Sequence, residues 1–260
     1  MSRLIDGLKK LSQTEPQPMG FRTSRKAEAT PTILIIAGLE LDMTGSPVKS
    51  ISGADAMLLH AAKAKLTAIT LQKMVKPLKD IPWGIYLEEG GKEPTAPVKA
   101  GCDFVVFSPT SRIPAVPQDE KLGRILQVES SMDDGLLRAV NDLPADAVLL
   151  TDTLENDRLV WHQLMIFRHL STFISKPLIV PVPATITQVE LKALWDAGID
   201  GVLVEVDATQ GGDLTELHGI AGKLPPRSAR KRGKMDVLLP RMAGETGAAA
   251  PPDEEEEEYE

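Results

Sequence analysis

The chain has 260 residues, of which 42% are hydrophobic, and this composition is sufficient for a substantial buried core. Disorder over the whole length is excluded, and so is a small disulfide scaffold, because the single cysteine, Cys102, cannot form an internal disulfide. The 37 acidic and 29 basic residues give a net charge of -8, which argues against DNA and anionic membranes as partners. Because there is neither a signal-peptide pattern nor an apolar run of roughly 18 residues, we expect a cytoplasmic protein.

The N-terminal segment, residues 1–32, is predicted to be a short helix followed by an extended strap. Leu4, Ile5, Leu8 and Leu11 recur at helical spacing, which predicts an amphipathic helix over residues 2–12. We expect this helix to cover apolar surface on the body of the protein or on a second subunit, so a homo-oligomer is a candidate assembly.

The C-terminal segment differs in composition from the rest of the chain. Residues 244–260 contain a run of five glutamates and little that could be buried, so they are predicted to form a disordered acidic tail. Residues 225–243 form a basic linker that includes RSARKRGK at 227–234. This linker could dock RNA or an acidic partner, but the simpler interpretation is a solvated segment that meets the acidic tail.

Between these ends, one pattern recurs four times: a small residue or proline, then Asp, then an apolar strand. Its copies are GADAMLLH at 53–60, GCDFVVFS at 101–108, PADAVLLT at 144–151 and GIDGVLVE at 198–205. Four further apolar segments alternate with them: ILIIAGL at 33–39, IPWGIYL at 81–87, RILQVES at 124–130 and PLIVPVP at 177–183. Nearly continuous apolar strands are typical of a parallel sheet that is covered on both faces.

Helical patterns fill several of the gaps between these strands: residues 61–80, 131–143, 159–174, 187–198 and 213–224. Thr187 and Glu190 have the spacing of a capping box, and Asp213 and Glu216 repeat it. The links after the first, third and fourth strands are too short or too rich in proline for full helices. The pattern predicts an α/β fold, a compact (β/α)8 TIM barrel over residues 33–224 with several shortened helices.

Two phrases carry a family resemblance, AGIDGVLVE and AGCDFVVFS. They resemble the even strands of aldolase-type and ribulose-phosphate-binding barrels, which include enzymes of tryptophan and histidine biosynthesis. The resemblance implies an enzyme fold whose chemistry lies at the C-terminal ends of the strands, while the other end serves stability. By that rule Asp55, Asp103, Asp146 and Asp200, which stand where strands begin, are predicted to satisfy backbone amides.

The same rule selects the candidate site. Its catalytic candidates are Glu129 and Glu205, with His60 as a proton carrier. Its substrate-binding candidates are Tyr86, Glu88, Ser108, Gln127, Asp152, Gly211 and Gly212. Polar side chains at strand ends are expected to face the mouth of the barrel, because the helix layer would bury them without water.

Acidic groups at the mouth suggest two kinds of chemistry. They could hold a divalent metal such as Mg²⁺ through oxygen ligands, or supply a general base whose pKa is raised by like charges. The structural alternative is that some of these carboxylates cap strand ends or pair with Lys63, Arg112 or Arg158. No strand contains a lysine, which argues against Schiff-base chemistry, and no nucleotide-binding glycine motif occurs.

A phosphate site is not favoured. The turn after the seventh strand, PVPATIT, has no glycine, and Asp213 would repel a phosphate beside Gly211 and Gly212. The sequence therefore predicts a small-molecule enzyme, a lyase or isomerase that uses carboxylate acid-base chemistry on an anionic metabolite. The alternative is a TIM barrel that binds or scaffolds a partner without catalysis.

The acidic tail is expected to be dispensable for folding, because it contributes no apolar burial. Truncation after residue 243 should leave the thermal midpoint almost unchanged in a calorimetric or fluorescence melt. A drop of more than about 5 °C would show that the tail packs on the body.

Overall fold

The computed structural model describes the following stretches of the chain: residues 2–12, 32–41, 51–60, 67–78, 80–87, 95–151, 158–206 and 212–224. The predicted strap between residues 13 and 31 lies outside them. So do the predicted basic linker and acidic tail, residues 225–260.

Eight parallel strands close into a single barrel, and each strand pairs with its neighbours in chain order. They are β1 (Leu34–Glu40), β2 (Ala56–His60), β3 (Trp83–Tyr86), β4 (Phe104–Phe107), β5 (Gly123–Val128), β6 (Ala147–Leu150), β7 (Leu178–Val182) and β8 (Gly201–Val206). The ring is completed by β1 and β8, which pair from Leu34 with Gly201 to Leu39 with Val206. Each strand overlaps one predicted apolar segment, which confirms the predicted fold class.

Seven helices accompany these strands in the described part of the chain. They are α1 (Arg3–Ser12), α2 (Ala68–Val75), α3 (Thr95–Lys99), α4 (Asp134–Ala139), α5 (Trp161–Phe173), α6 (Gln188–Ala197) and α7 (Thr215–Ala221). The described residues of the links after β3 and β4 contain no full helix, as predicted: α3 has 5 residues, and a 3-10 turn at Ile113–Ala115 follows β4. None of the described helices combines the length and the apolar character that crossing a bilayer requires.

Caps decide where the helices begin. The predicted capping box of α6 is confirmed, because the Thr187 hydroxyl accepts the amide of Glu190 and the Glu190 carboxylate accepts the amide of Thr187. The predicted start of α7 at Asp213 is wrong. Residues 213 and 214 pair with Ser52, with a bond of 2.9 Å from the Leu214 amide to the Ser52 carbonyl, so the helix begins only at Thr215.

The barrel interior is closely packed. Alternate residues of each strand point inward, and eight of them surround a central cavity of about 10 Å³: Ile36, Leu58, Phe104, Val106, Ile125, Leu149, Ile179 and Leu203. A space of this size holds at most about one water molecule. A ligand therefore cannot enter the barrel itself, and any binding site built on it must lie at an end.

At the N-terminal end, the repeated aspartates satisfy backbone groups as predicted. The Asp55 amide donates to the Ile35 carbonyl, and its carboxylate accepts the amide of the same residue, both at 2.8 Å. Asp146 makes the same two-way pairing with Arg124, and the fully buried Asp200 makes it with Leu178. Each of these three aspartates thus joins its strand to the preceding one before the regular ladder begins.

The fourth aspartate, Asp103, binds the N-terminal helix instead. Its carboxylate accepts the amides of Arg3 and Leu4 at 2.8 and 3.1 Å, and the Ser2 hydroxyl at 2.7 Å. Amides at the start of a helix have no partner within the helix, and the helix dipole favours a negative charge there. Asp103 therefore caps α1 from a position that is distant in sequence.

Helix α1 closes the N-terminal end of the barrel. Leu4, Ile5 and Leu8 are buried and belong to the same apolar cluster as the inward-facing strand residues. The expectation that α1 covers apolar surface on the body of the protein is confirmed. The apolar stripe of α1 packs against the inward-facing residues at the open end of the barrel.

Replacing Leu8 by Asp tests this closure. Leu8 is completely buried, so the substitution leaves a cavity and an unpaired charge in the core and should cost at least about 3 kcal/mol. For a chain of this size, that corresponds to a fall in the melting temperature of roughly 6 °C or more.

The control is Lys10→Asp on the exposed face of the same helix. It introduces the same side chain and should cost less than about 1 kcal/mol, mainly through the helix dipole. Equal melting temperatures for the two variants would contradict the burial of Leu8.

Candidate functional site

The C-terminal end of the barrel brings together polar residues from five strands. They are Glu40 at the end of β1, His60 at the end of β2, Tyr86 on β3, Gln127 on β5 and Glu205 on β8, here called the Glu205 group. The pairing of β1 with its neighbours explains the proximity, because Gly38 is the partner of Glu205 and Glu40 is the partner of His60. The closed ring thus places the last strand beside the first two.

Glu205 lies over β1. Its two carboxylate oxygens are 2.6 Å from the point where a β-carbon on Gly38 would stand. The side chain remains exposed to solvent on its outer side. The atoms packed around the carboxylate raise the pKa of Glu205 above its ordinary 4.5; His60 lowers it by charge attraction, and Glu40 adds a smaller upward push.

Tyr86 stands beside His60, with the two ring centroids 5.3 Å apart. The Gln127 side-chain amide donates a hydrogen bond to the Tyr86 hydroxyl oxygen. Burial raises the pKa of Tyr86 to about 12, and the negative charge of Glu205 adds to this effect. Tyr86 is therefore a neutral hydroxyl at neutral pH, and because its oxygen accepts from Gln127, its own proton is directed to another acceptor.

Two other predicted residues contact their own loops. Glu129 follows β5 and is exposed, and its carboxylate accepts a hydrogen bond of 3.3 Å from the Ser131 hydroxyl. The Ser108 hydroxyl lies 2.7 Å from the Thr110 hydroxyl and accepts the Thr110 amide at 3.2 Å. The predicted pairing of Glu129 with Glu205 as the catalytic residues thus remains a prediction, and the contacts described here favour Glu205.

The predicted glycine turn after β8 is only partly described. Gly212 comes close to β8, because an added β-carbon would stand 2.4 Å from a methyl of Val206. The Asp213 carboxylate accepts the Thr215 amide, and bonds from Thr215 lower the pKa of Asp213. Gly212 thus allows close packing against Val206, and the next residue, Asp213, carries a negative charge. Glu88, Asp152 and Gly211 lie outside the described residues.

The divalent metal predicted for this end of the barrel would need several ligand side chains close together. Within the described stretches, no three His, Cys, Asp or Glu side chains are close enough together to hold a metal ion. Cys102 lies at the opposite end, where burial raises the pKa of its thiol to about 12, so it remains a neutral thiol. The chemistry that the described side chains can support is proton transfer by Glu205 and His60 beside a neutral Tyr86 hydroxyl.

Glu40 and Gly38 also belong to this neighbourhood, but they are not among the site residues predicted from the sequence. The predicted first strand ended one residue early, at Leu39, and so omitted Glu40. A signal was present, since GLE at 38–40, YLE at 86–88 and QVE at 127–129 share a glutamate after an apolar residue at the ends of three odd-numbered strands. The importance of Gly38 follows from the barrel closure, which cannot be read from β1 alone.

Comparison with known proteins supports the fold. No family model matches the sequence, and no curated protein matches it. A mutant tryptophan synthase alpha-subunit from the hyperthermophile Pyrococcus furiosus is 12% identical with a TM-score of 0.50, and the match covers 66% of this chain and 86% of that one. The carboxyl transferase domain of Rhizobium etli pyruvate carboxylase, solved with pyruvate, is 13% identical with a TM-score of 0.52, covering 75% of this chain and 45% of that one. At these identities the likeness shows the fold alone, and it confirms the predicted resemblance to enzyme barrels at that level.

Replacing Glu205 by Gln should stabilise the protein at neutral pH. A carboxyl with a raised pKa binds its proton more tightly in the folded state, so the stability of the parent falls as pH rises through that pKa. Glutamine does not ionise, and the variant should therefore melt higher at pH 7.5, by up to about 2 °C because solvent screens the exposed carboxylate. The difference should disappear as pH is lowered below the ordinary value of 4.5.

Glu120→Gln is the control, because Glu120 is an exposed glutamate that precedes β5 at the opposite end of the barrel. The comparison uses melting curves of the parent, Glu205→Gln and Glu120→Gln, measured from pH 7.5 to below pH 4.5. A lower melting temperature for Glu205→Gln at pH 7.5 would mean that the carboxylate stabilises the fold.

Proposed function

We propose that this protein is a small-molecule enzyme that transfers protons at the C-terminal end of its barrel, acting as a lyase or an isomerase. The observation that carries the proposal is the position of Glu205, whose carboxylate has a raised pKa beside His60 and near a neutral Tyr86. Perturbed carboxylates that lie among other polar groups are common at acid-base sites. The barrel fold is compatible, since its enzymes use this end of the strands for chemistry.

Each group in the proposal has one role. Ionised Glu205 takes a proton from carbon next to a carbonyl group, and the electron pair of the broken bond moves onto the carbonyl oxygen. The Tyr86 hydroxyl donates a hydrogen bond to the oxygen as its negative charge develops. His60 carries the second proton, either to a neighbouring carbon in an isomerisation or to a departing group in a lyase reaction.

The proposed substrate class is an anionic carbonyl compound. Glu40, Glu129 and Glu205 make the described part of this end acidic, so the anionic group of the substrate needs a positive partner. Arg112 follows β4 and Arg158 precedes α5, and both are exposed in connections on this side of the barrel. We assign the anionic group to these arginines and the carbonyl group to Tyr86.

A barrel that binds a partner without catalysis is the alternative, and one observation favours it. Trp161, Met165 and Val189 are 83%, 68% and 78% exposed, and they lie on α5 and α6, two helices in contact with each other. Large apolar side chains exposed together often mark interaction surfaces.

Hydrogen-deuterium exchange at carbon tests the enzymatic proposal without knowledge of the natural reaction. The protein is incubated in D₂O with pyruvate or dihydroxyacetone phosphate, two anionic carbonyl probes, and the loss of their carbon-bound protons is followed by NMR. The proposal predicts exchange above the buffer rate for at least one probe. Glu205→Gln should reduce it by about 10²-fold or more, which is the usual contribution of a general base.

Glu120→Gln should leave this exchange unchanged. The parent rate should rise with pH as Glu205 ionises, and it should not fall near neutral pH, because Tyr86 retains its proton up to about 12. Exchange at the buffer rate with both probes would argue against proton transfer and would favour the binding barrel. Exchange that survives in Glu205→Gln would assign the base elsewhere.

A further inference from the structure

Four inward-facing glycines on the strands leave room for side chains from other parts of the structure. A β-carbon on Gly84 would stand 2.3 Å from the Phe104 ring, and one on Gly123 would stand 2.6 Å from Ile5 of α1. A β-carbon on Gly201, at the start of β8, would stand 3.3 Å from Ile179 and 3.4 Å from Leu8. These three glycines therefore serve the packing of the interior and of the helix that closes it.

Gly38 differs from the other three, because a carboxylate fills its space. The three atoms nearest to an added β-carbon are both carboxylate oxygens and the carboxyl carbon of Glu205, at 2.6 to 2.7 Å. Real β-carbons do not approach other atoms so closely, so one of the two groups must move if a side chain is added. Glu205 is the group that can move, since its far end is flexible and exposed.

The strand register explains what this close approach achieves. Glu205 on β8 is the partner of Gly38 on β1, and β1 also pairs with β2, which carries His60. A side chain at residue 38 would stand between β8 and β2. Without one, the Glu205 carboxylate lies across β1, where the charges of both His60 and Glu40 act on it.

We infer that Gly38 is a positioning residue of this site: the absence of its side chain lets the Glu205 carboxylate lie over β1, within reach of His60 on β2 and Glu40 on β1. The inference rests on the proposed function for its catalytic consequence. Its structural content, the location and surroundings of Glu205, is independent of any activity.

The direct test is the titration of Glu205 in Gly38→Ala. Protein labelled with ¹³C at the glutamate carboxyl carbons is titrated by NMR, and the signal that disappears in Glu205→Gln identifies Glu205. The added methyl should displace the carboxylate towards solvent, so its titration midpoint should fall towards 4.5 from the raised value of the parent. An unchanged midpoint would overturn the inference.

Gly201→Ala is the matched control. It adds the same methyl group on the inner face of a strand, at the end of β8 opposite to Glu205. The closest contact of the added β-carbon would be 3.3 Å. The Glu205 midpoint should be the same in this variant as in the parent. A fall of equal size in both variants would attribute the effect to general loosening of the barrel and would also overturn the inference.

If Gly38→Ala lowers the melting temperature, the double variant Gly38→Ala with Glu205→Ala identifies the cause. The added methyl meets the Glu205 carboxylate first, so removing that carboxylate should restore the melting temperature to that of Glu205→Ala alone. Failure to restore it would assign the loss to the backbone of β1, and Gly38 would then be a structural glycine.

The exchange assay connects this inference with catalysis. Displacement of a general base by about 1 Å should lower kcat by roughly 10- to 100-fold while KM changes little, and Gly38→Ala should add no further loss to Glu205→Gln. Full activity in Gly38→Ala with a lowered midpoint would show that the position of Glu205 does not matter for the reaction. A lowered midpoint in a protein without exchange activity would retain the positioning role and remove the proposed function.

Discussion

A closed parallel barrel has two open ends, and the placement of α1, of the repeated aspartates and of the candidate site depends on how those ends are completed. The ring of strands satisfies its own backbone along its length, but the first residues of each strand and the apolar residues inside the ring need partners. At the N-terminal end these partners are carboxylates and one helix: Asp55, Asp146 and Asp200 join neighbouring strands, and Asp103 holds α1 over the opening. The polar residues of the candidate site lie at the opposite end.

The carboxyl group therefore serves opposite purposes at the two ends. Asp200 is fully buried and accepts a backbone amide, whereas Glu205, a few residues along the same strand, is exposed at its outer side and has a raised pKa. A carboxylate with a raised pKa is a cost to the folded state at neutral pH. Such a cost is typical of sites where groups are arranged for chemistry rather than for stability.

The strands and their order could be predicted from the sequence because each one is buried on both faces and appears as a short apolar run. The helix starts could be predicted only where the cap is local: Thr187 and Glu190 form the expected box, but the identical spacing of Asp213 and Glu216 fails because residue 213 is held by the distant Ser52. The amphipathic pattern of α1 predicted burial but not its location, since Leu4, Ile5 and Leu8 carry no information about which surface they meet. For the site, single strands identify His60, Tyr86 and Glu205, while the approach of Glu205 to Gly38 depends on β8 meeting β1.

The way in which α1 closes the barrel also constrains the order of assembly. Ser2 bonds to a residue 101 positions away, Lys9 to one 137 positions away, and Leu8 packs against Gly201 at the start of the last strand. Because α1 precedes all eight strands in the chain, it is synthesised before them and can complete its contacts only after the last strand has been made and has joined the ring. Contacts of such long range form late and slow the folding of a chain. During synthesis, the apolar face of α1 therefore stays unburied until the barrel has closed.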